Sequence, residues 1–212
     1  MNCTKCSVQL CQIREKINLP DDCPGLCREC IREGTQLYSD EDIAGFYADS
    51  LKSMGQSFGK MPRIIEAVNF CKIRGFHKIG VAYCSGMFKY GKIVADIFES
   101  YGFEVSAYGC KTGGFSANEL VSEELLGDFG KDKSGRAEAG AKPRAICNPI
   151  GQALFLNKEK TEFNVIVGLC VGHDSLFNRY SEAMSSTVVL KDRAFTEMCA
   201  ESAKAAASYG EL

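Results

Sequence analysis

Phe163–Ser175 reads FNVIVGLCVGHDS, and the fold follows from this stretch. Val165 to Leu169 form a short, almost wholly apolar run, the pattern of a strand covered on both faces of a parallel sheet. Cys170 closes it, and Gly172, His173, Asp174 and Ser175 turn the chain into a helix. A thiol, an imidazole and a carboxylate therefore fall within five residues at the carboxyl end of a central strand. In open α/β sheets that edge binds ligands.

Upstream, Lys78–Tyr83 (KIGVAY) is a strand ending at Cys84, and Phe103–Tyr108 (FEVSAY) is a strand ending at Gly109-Cys110. Between them Tyr90–Tyr101 is amphipathic, with Ile93, Val94 and Ile97 facing inward. A strand–helix–strand unit implies parallel pairing. Further upstream, Ser39-Asp40-Glu41-Asp42 opens a helix that runs to about Met54, and Gly55 to Gly59 breaks it. Pro62 starts a second helix, with Ile64, Ile65, Val68 and Cys71 inward and Gly75 as its stop.

Lys111–Arg144 is a long polar excursion with one short helix expected at Ala117–Leu126. Cys147-Asn148-Pro149 then starts a helix, with Asn148 as cap. A helix over Asp174–Ala183, a strand over Ser186–Leu190 and a helix over Phe195–Ser208 complete the chain. The expected fold is α/β: a small parallel, Rossmann-like three-layer sheet, preceded by a Cys-rich segment. The division expected is residues 1–37 as that segment and 38–212 as an α/β domain with two leading helices.

The chain has 212 residues and a net charge of −2, with 45% hydrophobic and 25% charged residues. That balance gives no electrostatic case for nucleic-acid or membrane binding, and no apolar run suits a bilayer span. No apolar signal-peptide core follows Met1, so a cytoplasmic location is the expectation.

Twelve cysteines dominate the chemistry. In a reducing compartment such clustering points to metal ligands or reactive thiols rather than structural disulfides. Six lie in the first thirty residues: Cys3, Cys6, Cys11, Cys23, Cys27 and Cys30. Cys3-x-x-Cys6 and Cys27-x-x-Cys30, twenty residues apart, have the spacing of two zinc knuckles sharing a metal. Cys3, Cys6, Cys11 and Cys23-Pro24 form a competing set of iron–sulfur type. With so little apolar surface, this segment needs a metal as its staple.

The second set is spread along the chain. Cys84, Cys110 and Cys170 each follow a strand, and Cys147 precedes a helix. Parallel strands would bring all four to one rim, where four thiolates suit an iron–sulfur cluster or, second, zinc. A low-pKa thiolate at Cys170, with His173 as acid–base partner, is the alternative. Cys71 and Cys199 fall mid-helix and read as core residues, and His77 as a surface residue. Gly86-x-x-x-x-Gly91-Lys92 has the placement of a phosphate loop, but Ile93 stands where Ser or Thr would hold magnesium.

Several strings together carry a resemblance. They are Cys147–Ala153 (CNPIGQA), Leu156-Asn157, Gly168–Phe177 (GLCVGHDSLF) and Lys191-Asp192-Arg193, with the N-terminal cysteines and the strand ends at Cys84 and Cys110. The chain resembles the uncharacterised proteins grouped as domain of unknown function 1847, from anaerobic bacteria and archaea. The resemblance implies metal or cluster binding without an established reaction. A redox protein or a small molecule is the partner expected.

Overall fold

The computed structural model describes residues 3–9, 11, 19–129 and 145–192. The helix expected over Phe195–Ser208, Cys199 and the centre of the polar excursion lie outside the described residues. The chain divides into two compact units, residues 1–51 and 52–212.

In the first unit a 3₁₀ turn spans Cys3–Lys5 and another spans Pro24–Leu26. Helix α1 is Arg28–Leu37, which the sequence reading did not anticipate. Helix α2, Glu41–Ser57, opens where Asp40 Oδ1 accepts from the N–H groups of Asp42 and Ile43 at 2.9 and 3.1 Å. It runs through Gly55 instead of stopping there. One glycine costs a helix only about 1 kcal/mol, less than the neighbouring turns supply. The left-handed residue that follows its end is Gly59, at φ 69°.

The second unit is built on four parallel strands. Helix α3 (Arg63–Arg74) leads into β1 (Lys78–Tyr83), α4 (Phe88–Ser100) and β2 (Glu104–Gly109). Two one-turn helices follow, α5 (Ala117–Leu120) and α6 (Glu123–Leu126), where a single helix was expected. Val121 between them is extended, and a capping box of Ser116 and Glu119 closes the first on itself. Then come α7 (Pro149–Lys158), β3 (Phe163–Val167), α8 (Val171–Tyr180) and β4 (Ser185–Val189).

The strand order is β2-β1-β3-β4. Tyr83 pairs with Gly109 on one side and Val167 on the other, so these three strands end level. All five residues of β3 are buried, as its apolar composition requires. Alternation divides the faces. Ala82 and Ile166 pack with Ala153 and Leu156 of α7 and Phe177 of α8 on one side. Tyr83 packs against Gly91 of α4 on the other. The result is the three-layer α/β sandwich expected.

Two boundaries differ from the sequence reading in ways that matter for the rim. β3 stops at Val167 because Gly168 takes φ 63°, a left-handed turn that an L side chain resists. A Cβ there would also stand 2.9 Å from Met87 Cγ and 3.2 Å from Lys191 Cβ. α8 begins at Val171 and not Asp174, so Cys170 itself takes the cap position. Asp174 is not the cap. Its carboxylate accepts from Asn178 Nδ2 at 3.0 Å and Thr187 Oγ1 at 3.2 Å, tying α8 to β4.

Candidate functional site

From β1 the chain crosses to β2 on one side, then returns to β3 on the other. The crevice between the carboxyl ends of β1 and β3 is thus the topological switch point, where open α/β sheets bind ligands. Cys84 follows β1, Cys170 follows β3 by three residues, and Cys110 follows β2. Cys147 joins them because Asn148 N–H donates to the Cys110 carbonyl at 2.7 Å. Asn148 also caps α7, its Oδ1 accepting from Gly151 N–H at 2.8 Å. The structure therefore brings the four cysteines read as a rim set to one edge.

Cys110 is the link in this set, its thiol responding to hydrogen bonding with Cys84 and with Cys147. Lys191 Nζ then donates to Cys84 Sγ at 3.0 Å and to Cys170 Sγ at 3.1 Å. Lys191 follows β4 by two residues, so its ammonium reaches across the switch crevice. Sequence reading noted Lys191 within a matching string but gave it no role, because nothing local pairs it with residues 21 and 107 positions away.

Cys110 is 1% exposed and Cys84 is half-buried. Ser85 N–H donates to Cys110 Sγ at 3.2 Å, and Ser85 Oγ lies 3.5 Å from the same sulfur. Donation from Cys84 first, and then from Ser85, brings the Cys110 thiol down to about 7 against the opposing effect of burial. Donating to Cys110, and then burial, pushes Cys84 up to about 12, with Lys191 pulling the other way. Together the two sulfurs give up one proton near neutrality and keep the other. Such a proton belongs to the pair and can sit on either sulfur. Burial opposes the charge on Lys191, yet its bonds to Cys84 and Cys170 outweigh that and raise its pKa.

Gln152 was also missed. It is 1% exposed on α7, and its Nε2 donates to the carbonyls of Tyr83 at 3.2 Å and Tyr108 at 2.7 Å. It thereby clamps the last turns of β1 and β2 beneath Cys84 and Cys110. No single-sequence signal marks a buried glutamine as a clamp.

His173 stands half-buried in the first turn of α8, three residues beyond Cys170. His77 is exposed, as expected. Cys71 lies fully buried on α3, and burial pushes its thiol up to about 12. The phosphate-loop spacing has a packing explanation. A Cβ on Gly91 would meet Tyr83 Cγ at 2.7 Å, and Lys92 pairs with Asp96 at 2.6 Å.

In the first unit, the N-terminal cysteines line two tight turns. Gln9 N–H donates to Cys6 Sγ and Gly25 N–H to Cys23 Sγ, both at 3.4 Å. Cys27 and Cys30 face each other one helical turn apart, and donation from Cys30 lowers Cys27 while raising Cys30. Cys3, Cys11, Cys27 and Cys30 are exposed, and Cys6 and Cys23 are half-buried. Among the described residues, no three Cys, His, Asp or Glu side chains stand in an arrangement that holds a metal ion.

A sequence profile described as a protein of unknown function, DUF1847, matches residues 23–188. The chain belongs to the DUF1847 family. An uncharacterised protein of Methanocaldococcus jannaschii is 34% identical over 193 residues, covering 91% of this chain and 88% of the relative. No solved structure matches. The DUF1847 match takes in Cys84, Cys110, Cys147 and Cys170 and begins at Cys23. No helix among the described residues of this DUF1847 protein is long and apolar enough to cross a membrane.

Proposed function

We propose that this protein is a thiol-dependent redox protein whose centre is the Cys84–Cys110 pair at the switch crevice. The observation that carries the reading is the Lys191 ammonium placed 3.0 Å from Cys84 and 3.1 Å from Cys170. The Cys84–Cys110 pair gives up one proton near 7, Lys191 supports the negative charge when it sits on Cys84, and the thiolate is the reactive form of cysteine. Cys110 is buried, so Cys84 is the sulfur that meets a substrate. The substrate is a small molecule or a partner redox protein.

A brief pulse of iodoacetamide on reduced, full-length protein at pH 7, followed by peptide mapping, tests this. Cys84 should be carboxamidomethylated while Cys71 is untouched. Cys84 that reacts only after denaturation would overturn the reading.

A metal–sulfur centre is the second reading, favoured by the gathering of four cysteines on one rim. The donor set of Cys84, Cys110, Cys147 and Cys170 is sulfur alone, which suits an iron–sulfur cluster or zinc. Such a group would supply electron transfer or a Lewis acid there. The thiol reading stands first because the Lys191 ammonium is bonded to two of these four sulfurs, Cys84 and Cys170. Metal analysis and a visible spectrum of anaerobically purified protein separate the two. One metal centre lost on Cys84→Ser, with the N-terminal centre kept, would put the metal reading ahead. The six N-terminal cysteines are proposed as a separate metal-binding set, zinc or iron–sulfur, from residues 3–30.

A further inference from the structure

We propose that Cys84 and Cys110 close into a reversible disulfide across the ends of β1 and β2, and that the rim exchanges it with a disulfide substrate. The inference rests on the thiol reading above and adds which two sulfurs pair and what they react with.

The sheet register is the main argument. Tyr83 pairs with Gly109, and Cys110 N–H continues the ladder by donating to the Tyr83 carbonyl at 2.9 Å. The next pair in that register is Cys84 with Cys110. Adjacent strands lie about 4.8 Å apart. A disulfide needs Cα atoms roughly 4.4–6.8 Å apart, so this pair is within range without backbone movement. Residues paired in register point to the same face. Both cysteines pack with the cluster of Ala82, Ala153 and Leu156, so their Cβ vectors do not diverge.

Gln152 holds the geometry. By bonding the Tyr83 and Tyr108 carbonyls it fixes the separation of the two strand ends, one residue before Cys84 and two before Cys110. Neither Cys170, across the crevice behind Lys191, nor Cys147, beyond Cys110, stands in such a register with Cys84.

Burial assigns the order of attack. Cys84 is half-buried and meets the substrate, while Cys110 is 1% exposed and reacts only inside the protein. Cys84, once its proton has passed to Cys110 Sγ, attacks as the thiolate on one sulfur of R–S–S–R. A Cys84–S–R bond forms, and the first RS⁻ leaves and takes a proton from solvent. Cys110 then attacks Cys84 Sγ as its own proton passes to the departing second thiolate. The protein dithiol loses two electrons to the substrate, which is released as two thiols. Lys191 stabilises the Cys84 sulfur whenever it carries charge, both as attacker and as the leaving group in the reverse direction.

The test uses reduced full-length protein and one equivalent of 4,4′-dithiodipyridine, with non-reducing peptide mapping. The expected product is a linked pair of peptides containing Cys84 and Cys110. Cys110→Ser should leave the pyridyl group on Cys84, and Cys84→Ser should yield no adduct at Cys110. A stable pyridyl adduct on Cys84 of the unsubstituted protein, with no link to Cys110, overturns the pairing while leaving the reactive thiolate intact. A Cys84 that does not react at all overturns both. Because the unsubstituted protein gives the primary result, a variant that fails to fold does not decide the matter.

Discussion

At the scale of single residues, the rim is a cation, Lys191, bonded to two of four gathered sulfurs. Replacing Lys191 with Met keeps the length of the side chain and removes its charge. An opposite charge a few ångströms away lowers an acid by about 1–3 units. Lys191→Met should therefore move the pH of half-maximal Cys84 labelling upward by about one unit or more, with an unchanged circular dichroism spectrum. Lys191→Arg should restore most of the effect. In the unsubstituted protein the pair loses its first proton near 7, so labelling should rise through that pH. Stability follows with a definite sign. Cys110 is lowered, so its contribution is present above its ordinary value and lost as pH falls through about 7. Cys84 is raised to about 12, so the folded pair keeps a proton that the unfolded chain releases near 9, and stability falls again above that. Urea midpoints measured from pH 6 to 10 should rise from about 7 and peak near 9, and Cys110→Ser should flatten the acidic limb.

At the scale of elements, Gly168 decides where β3 ends and where Cys170 begins α8. Gly168→Ala forces a left-handed residue, at about 1–2 kcal/mol, and also presses on Met87. The expected outcome is a lower Tm and weakened Lys191–Cys170 pairing, read by slower alkylation of Cys170. The strands, their parallel pairing and the rim position of their final cysteines were legible in sequence because the strand signals are local: apolar runs bounded by Gly and Cys. Helix boundaries were less legible. Gly55 sits inside α2, and α8 starts three residues early, because neighbouring turns and Gly168 outweigh the single-residue signals. Lys191 and Gln152 were invisible in their roles because each acts on residues far away in the chain, through contacts that no spacing encodes.

At the scale of the whole molecule, the two units call for different staples. Residues 52–212 bury a continuous core, from Ile64 and Val68 of α3 to Phe98 of α4, at about 1.5–3 kcal/mol per large apolar side chain. α1 buries no residue, and the exposed Leu26, Ile31 and Leu37 contribute little. Ordering costs about 1–2 kcal/mol per residue, and the described residues of this segment have no comparable burial to offset it. Chelation under reducing conditions should make residues 1–37 protease-sensitive while the second unit persists. Resistance of a metal-free segment would show that no metal staples it. One pair of bonds has a consequence for how this family can diversify. Ile146 N–H donates to the Phe115 carbonyl, and Asn148 N–H to that of Cys110, so the chain leaving β2 is stitched to the chain entering α7. Everything between the stitches closes a loop whose entropic cost rises only with the logarithm of its length. Insertions and deletions there leave the pairing of β1 with β2 untouched, so a change of length between the stitches should leave Cys84 and Cys110 in the same register.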